Sequence, residues 1–212
     1  MPNISSSELI AQFQTALRDG WGYIYGASGE IWTQAQQNAA SREQTKKYGQ
    51  KWVGHRVADC SGLFAWAFRQ LGGYCYHGSN TIFRKYLARS GTIASAAGLR
   101  PGMAVFKWKP VTPARFSDGL GDFCHIGLVT SVSPLRIVHA STEGMAVKAD
   151  SKIGKWRYWG WLKDVAETSS FNSADDSAVS TPSSVSHPTL RTGSMHDSSP
   201  PASSRVNRLS CH

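Results

Sequence analysis

The periodicity of the apolar residues changes near residue 100, and this change restricts the fold class more than any other feature of the chain. Before it, apolar residues recur at helical spacing in segments that begin near Ser5, Asp59 and Ser79. After it come four strand candidates, at residues 103–108, 124–132, 135–140 and 156–162. Helices followed by neighbouring strands predict an α+β fold, with N-terminal helices packed on a mostly antiparallel sheet.

The first hundred residues also carry local start and stop signals. Ser5-x-x-Glu8 is a capping box, and Gly20 follows the last apolar repeat of the first helix. Residues 20–29 (GWGYIYGASG) alternate aromatic residues with glycines, which predicts a loop with tight turns. The polar residues 33–50 predict a short exposed helix.

The composition divides the chain at residue 166. Residues 1–166 hold 22 of the 23 aromatic residues, and 20 basic residues against 10 acidic ones. Residues 167–212 hold 14 serines, 4 prolines and a single aromatic residue, Phe171. We therefore predict one folded domain over residues 1–166 and a Ser-rich disordered tail or linker over 167–212, which has too little apolar surface to form a core.

The sequence argues against a membrane-spanning helix, an ordinary secretion signal and a metal site. No run of about 18 apolar residues exists, so the sequence predicts no membrane-spanning helix. The N-terminal sequence MPNISSSELIAQFQ lacks a basic and an apolar region, so no ordinary secretion signal is expected. The four cysteines show no CxxC spacing, and we expect no metal site.

The helix predicted near Asp59 opens with the sequence Asp59-Cys60-Ser61-Gly62. Its apolar residues cover most of its circumference, which predicts that this helix is buried. A cysteine in the first turn meets unpaired N–H groups and the positive end of the helix dipole, and both lower the thiol pKa. Cys60 is therefore a candidate nucleophile. The alternative is that Cys60 is a small apolar residue filling the start of a buried helix.

Two histidines lie on adjacent strand candidates. His125 and His139 are separated by a short turn around Ser133-Pro134, so a hairpin can place them close together on one face. His125 would then take the proton of Cys60, and His139 would orient the His125 ring. The alternative is a pair of half-buried strand histidines whose nitrogens bond backbone carbonyls.

Five short segments of the sequence match the motifs of a known protein family in their order and spacing. They are Tyr23-Ile24-Tyr25-Gly26, Asp59-Cys60-Ser61-Gly62-Leu63-Phe64, Leu99-Arg100-Pro101-Gly102-Met103-Ala104-Val105-Phe106, His125-Ile126-Gly127-Leu128-Val129 and Ile137-Val138-His139-Ala140-Ser141. Together they resemble the NlpC/P60 family of papain-like cysteine peptidases, which cut peptidoglycan stem peptides. The resemblance covers roughly residues 8–165. It implies a papain-like fold and no cofactor.

The resemblance implies a catalytic role at three positions. Cys60 falls on the nucleophile of the family, His125 on its general base, and His139 on the polar residue that orients the base. The scissile bond implied is the amide between γ-D-glutamate and the diamino acid of the stem peptide.

It also implies residues that line the cleft. Tyr23 falls on a tyrosine near the oxyanion, while Asp59 and Ser61 fall on a substrate-contacting pair, with Asp59 suited to a free amine of the stem peptide. Two features depart from the family pattern. Tyr25 stands where the family usually has a tryptophan. Residues 27–58 stand where many members have a short loop, and we predict that this longer segment forms part of a cleft wall.

Two other classes remain open at this point. One is an amidase or acyltransferase that uses the same triad on another amide or ester, and the other is a non-catalytic basic domain. The excess of ten positive charges in residues 1–166 (20 minus 10) suits an anionic cell wall, and no specific nucleic-acid motif accompanies it. We expect the peptidoglycan stem peptide as partner and the bacterial cell wall as site of action, reached through lysis and a holin or through a dedicated secretion route.

Overall fold

Helices and strands follow one another largely in the predicted order. The computed structural model describes residues 4–110, 116 and 118–167. Its helices are α1 (Ser6–Arg18), α2 (Gln34–Asn38), α3 (Glu43–Tyr48), α4 (Cys60–Gln70) and α5 (Ser79–Lys85), with short 3-10 helices at Gly49–Trp52 and Ala96–Gly98. Its strands are β1 (Ile4–Ser5), β2 (Gly22–Tyr23), β3 (Ser28–Ile31), β4 (Arg56–Ala58), β5 (Leu87–Thr92), β6 (Ala104–Lys109), β7 (Asp122–Val132), β8 (Leu135–Ser141), β9 (Ala146–Asp150), β10 (Trp156–Leu162) and β11 (Val165–Ala166).

Most strands belong to one large sheet. Within the described ranges it has nine strands in the order β3-β4-β2-β9-β8-β7-β6-β10-β5. The short β2 and β4 pair in parallel, whereas the long strands β6 to β10 pair antiparallel with their neighbours. β1 and β11 form a separate parallel pair. The α+β prediction, with N-terminal helices and a mostly antiparallel sheet, is confirmed.

Two helices build the core against this sheet. The capping box of α1 is present, since the Ser5 hydroxyl accepts from the Glu8 backbone N–H at 3.2 Å and the Ser5 backbone N–H donates to the Glu8 carboxylate at 3.0 Å. Phe13 of α1 packs edge-on against Phe64 of α4, with ring centroids 4.7 Å apart. α4 also contacts β7 and β8, and residues 61–68 are all buried. The predicted burial of this helix is confirmed.

The structure differs from the prediction in the less apolar segments. Residues 20–29, predicted as a loop, contain β2 and the start of β3, and residues 33–50 form two helices instead of one. β5 and β9 were not predicted, because their sequences LARSGT and AVKAD hold few large apolar residues. Apart from Glu167, the predicted tail 167–212 lies outside the described residues. In the described part of the chain, no helix is long and apolar enough to cross a membrane.

Candidate active site

The registers of neighbouring strands place polar side chains together on one face of the sheet. Lys107 of β6 lies opposite His125 of β7, and His139 lies on the next strand, β8. A Cβ atom added at Gly127 would lie 3.2 Å from the His139 Cβ and 2.9 Å from the Trp156 ring. Because residues two apart share a face of a strand, the absence of a side chain at Gly127 leaves room beside His125 for His139 and Trp156.

The two predicted histidines are in direct contact. His125 Nε2 lies 2.7 Å from His139 Nδ1, and both side chains are buried. The indole of Trp156 stacks on the His125 ring, with centroids 5.5 Å apart, and meets the His139 ring edge-on at 5.2 Å. Each imidazole is therefore held both by the other and by the same indole.

Cys60 is the first residue of α4, and its thiol lies beside the strand that carries His125. The backbone N–H of Ile126, the residue after His125, lies close enough to the thiol to act on its pKa. Burial, and then the charge of Asp59, raise the pKa of the Cys60 thiol to about 12, although the N–H groups of Ile126 and Ser61 act in the opposite direction. The predicted lowering of this pKa is wrong, because burial outweighs the helix end. The thiol is protonated at neutral pH.

The two imidazoles are uncharged at neutral pH. Burial, and then the neighbouring His139 and Lys107, hold the pKa of His125 well below its usual value. Burial also lowers the pKa of His139, although Asp150 acts in the opposite direction. His125 is thus in the neutral form, which is the form that can accept a proton.

Tyr23 lies close enough to Cys60 and Asp59 for their charges to act on its phenol. It is buried on β2, and its backbone N–H donates to the carbonyl of Met145 at 2.8 Å. Burial, followed by the charges of Cys60 and Asp59, raises the pKa of the phenol well above its usual value. The hydroxyl therefore keeps its proton.

Asp59 is the N-cap of α4, and protein groups occupy both its carboxylate oxygens. Oδ1 accepts from the backbone N–H groups of Ser61 (3.1 Å) and Gly62 (2.7 Å), and Oδ2 accepts from that of Gly26 (2.8 Å). His77 Nε2 lies 2.9 Å from Oδ1, and the Ser61 hydroxyl donates to the same oxygen at 3.2 Å. Asp59 is only 6% exposed. In this structure Asp59 and Ser61 bond each other and fix the helix start that carries Cys60.

Sequence reasoning missed an aspartate that faces the second histidine. Asp150 Oδ2, on β9, lies 3.2 Å from His139 Nε2 and 3.1 Å from Trp156 Nε1, and Oδ1 lies 3.4 Å from Lys148 Nζ. The contact with His139 is the main cause of a pKa of Asp150 far below its usual range, so the carboxylate is charged. The sequence offered no signal for it, because β9 itself was not predicted.

Residues within 27–58 form a small core together with Ile24. Trp32 and Val57 are buried with Ile24 and Ala27, and Trp52 packs against them. The Arg42 guanidinium lies 3.7 Å above the ring of Tyr25, two residues after Tyr23. The segment therefore covers the chain next to Tyr23. In the described ranges, no group of three or more His, Cys, Asp or Glu residues is placed to hold a metal ion.

Solved structures similar to this chain include NlpC/P60 proteins. NlpC2 from Trichomonas vaginalis has a TM-score of 0.47 and 17% identity, and the match covers 76% of this chain and 48% of that one. The P60 domain of an antigen from M. avium subspecies paratuberculosis has a TM-score of 0.46 and 14% identity, with 74% and 93% covered. The peptidoglycan hydrolase RipB from Mycobacterium tuberculosis has a TM-score of 0.46 and 16% identity, with 74% and 65% covered. This chain thus spans about half the length of the Trichomonas protein. No protein-family model and no curated protein sequence matches it.

Proposed function

We propose that this protein is a cysteine endopeptidase of the NlpC/P60 type, which hydrolyses peptidoglycan stem peptides at the amide between γ-D-glutamate and the diamino acid. One observation carries the proposal: a cysteine opens a buried helix beside the strand whose His125 contacts His139 at 2.7 Å. Nucleophile, base and orienting group are the three parts that thiol acyl transfer needs. The five sequence motifs support the choice of family and of bond.

In the proposed mechanism the proton moves as the sulfur attacks, because the thiol is protonated at rest. Cys60 Sγ bonds to the amide carbonyl carbon while its proton passes to His125. The carbon–nitrogen bond then breaks, and His125 gives that proton to the leaving amine, which leaves a thioester on Cys60. His125 next takes a proton from water, whose oxygen attacks the thioester carbon. Cys60 is released with the proton returned.

Other residues are proposed to stabilise charge and place the substrate. The backbone N–H of Cys60 and the protonated hydroxyl of Tyr23 are the proposed donors to the oxyanion. Because protein groups occupy both carboxylate oxygens of Asp59, its proposed effect on the substrate is the attraction of its charge, next to Cys60 at the start of α4, for a cationic amine of the stem peptide. Ser61 shares that end of the helix. We propose no cofactor or metal in this reaction.

The partner and place of action follow from the same proposal. The catalytic domain, proposed as residues 1–166, has an excess of ten positive charges, which suits the anionic cell wall of bacteria and raises its local concentration there.

Mass spectrometry of purified peptidoglycan after digestion tests the proposal. The wild-type protein should release fragments with a new amino group on the diamino acid, and Cys60→Ala should release none. Cleavage at another amide would instead favour the amidase alternative, and transfer of an acyl group to an added amine would favour the acyltransferase. Sedimentation with intact walls, without any covalent product, would favour a non-catalytic wall-binding domain.

A further inference from the structure

The contact between the two catalytic histidines admits two arrangements of protons. Both rings are neutral, and one hydrogen lies between His125 Nε2 and His139 Nδ1. If His125 carries it, His125 Nδ1 has a free lone pair and His139 bears its own proton on Nε2. If His139 carries it on Nδ1, the proton of His125 sits on Nδ1 and His139 Nε2 is bare. Only the first arrangement leaves a nitrogen of His125 able to accept the proton of Cys60.

Asp150 distinguishes between these arrangements. Its Oδ2 lies 3.2 Å from His139 Nε2, a close electrostatic contact at a buried nitrogen that has no hydrogen bond of regular geometry to any described residue. Because the carboxylate is an acceptor only, it attracts an N–H at Nε2 and repels a bare nitrogen there. The second arrangement would place two lone pairs against each other in a buried site, which is costly.

We infer that Asp150 is a positioning residue that fixes the tautomers of His139 and His125, so that His125 Nδ1 stays free to act as the base. This inference rests on the proposed function and extends the site from three side chains to four. Asp150 acts on the tautomer of His125 through His139, so Asp150 itself need not touch the substrate.

Asp150 has two other contacts, and each calls for a control. Trp156 Nε1 donates to the same oxygen at 3.1 Å, so Trp156→Phe removes that hydrogen bond and keeps the aspartate. Lys148 Nζ lies 2.7 Å from Glu143 as well as 3.4 Å from Asp150 Oδ1. Glu143→Gln therefore removes a nearby carboxylate that bonds the same lysine, and it is the matched control for Asp150→Asn. Lys107 Nζ lies 5.0 Å from the centroid of the Trp156 ring, and none of these variants changes this lysine.

The first test is ¹⁵N NMR of the histidine side chains in the full chain, which needs no substrate. In the wild type, His125 and His139 should both be protonated on Nε2 and bare on Nδ1. Asp150→Asn removes the negative charge that favours an N–H at His139 Nε2, so both rings should shift towards the Nδ1-protonated form. Glu143→Gln and Trp156→Phe should keep the wild-type tautomers. An Nδ1-protonated His125 in the wild type would overturn the inference, even if Asp150→Asn failed to fold.

The second test is the rate at which iodoacetamide alkylates Cys60, followed by peptide mass spectrometry. Asp150→Asn should slow it by about tenfold or more at pH 7, a part of the effect expected for losing a general base. Glu143→Gln should stay within about twofold, as expected for an exposed ion pair. Equal rates in Asp150→Asn and Glu143→Gln would overturn the inference. If the Asp150 effects appear but peptidoglycan is not cut, the proposed substrate is wrong and the inference stands.

Discussion

At the scale of single residues, burial decides the protonation state of the proposed catalytic groups. A helix N-terminus stabilises a negative charge by about 0.3–1 kcal/mol at exposed positions. Withdrawal of a thiolate from water costs more than this, so the pKa of Cys60 rises instead of falling. The same burial keeps both imidazoles neutral. The site thus holds a neutral thiol and neutral imidazoles, which is why the proposed mechanism moves the proton as the sulfur attacks.

Replacement of the proposed nucleophile, Cys60, should abolish hydrolysis without loss of the fold. Cys60→Ala and Cys60→Ser should release no peptidoglycan fragments, because neither side chain supplies a sulfur nucleophile, and their circular dichroism should match the wild type. Iodoacetamide should label Cys60 faster than Cys75, since both thiols have a raised pKa of about 12 but Cys75 is only 4% exposed and Cys60 is half-buried. Faster labelling of Cys75 with activity retained would contradict the assignment.

The two histidines should differ in how completely they are needed. His125→Ala should lose nearly all turnover, by about 10² to 10⁴-fold, because the thiol proton loses its acceptor. His139→Asn and His139→Gln should keep measurable activity, above that of His139→Ala, since an amide oxygen can still accept from His125 Nε2. Single-turnover rates on a γ-D-glutamyl-diamino-acid peptide measure this. An active His125→Ala beside an inactive His139→Asn would mean that the two roles are reversed.

Stability should depend on pH with opposite signs at two histidine positions. The pKa of buried His125 is lowered in the folded state, so its contribution is complete above the unfolded pKa of about 6.5 and is lost as the pH falls below it. The pKa of His77 is raised by its hydrogen bond to Asp59, so its contribution is present below about pH 6.5 and is lost as the pH rises through the folded pKa. Urea unfolding at pH 5.5 and 8 should therefore show a cost of His77→Gln that grows on acidification and a cost of His125→Gln that shrinks. Exposed His55→Gln is the control, and costs that do not change with pH would contradict the prediction.

At the scale of helices and strands, local signals were sufficient where the apolar pattern was strong. The capping box of α1, the buried helix α4 and the strand Trp156–Leu162 could all be predicted, because each has its own start signal or its own run of large apolar residues. β9 could not, since AVKAD owes its conformation to pairing with β8. Asp150 lies on β9, so the missed strand is also the reason that the fourth polar side chain of the site was missed.

Asp59 should be a main determinant of the stability of α4. Asp59→Ala should lower the free energy of unfolding by about 3 kcal/mol, because a lost N-cap costs about 0.5–2 kcal/mol and the Gly26 N–H also loses its acceptor in a part-buried hydrogen bond. Asp59→Asn should cost less, since asparagine caps helices about as well as aspartate. Asp19→Ala removes only a surface ion pair with Arg18 and is the control, with an expected change below about 1 kcal/mol. Urea unfolding of the three variants at pH 7 measures these differences, and equal effects of Asp59→Ala and Asp19→Ala would contradict this role of Asp59.

At the scale of the whole molecule, the site depends on contacts between distant parts of the sequence. Cys60 comes from a helix in the first third of the chain, while His125, His139 and Asp150 come from three adjacent strands of the later sheet. The motifs indicated that Cys60 and the two histidines belong together, but the aromatic neighbour Trp156 could be placed only through the pairing of β10 with β6. Sequence periodicity specifies which face of a strand a residue takes, and it does not specify which strands become neighbours.

The domain boundary at residue 166 remains a prediction, and truncation tests it. Removal of residues 170–212 should leave the melting temperature nearly unchanged, because that segment holds one aromatic residue and no apolar periodicity. Removal of residues 163–212 is the matched control, since it also deletes β11. Val165 of that strand is buried, pairs with Ile4 of β1, and accepts from Trp161 Nε1 at 2.7 Å. This longer deletion should lower the free energy of unfolding by about 3 kcal/mol and therefore the melting temperature by roughly 10 °C. If the shorter deletion alone caused a fall of that size, the predicted tail would be part of the folded domain and the boundary at residue 166 would be wrong.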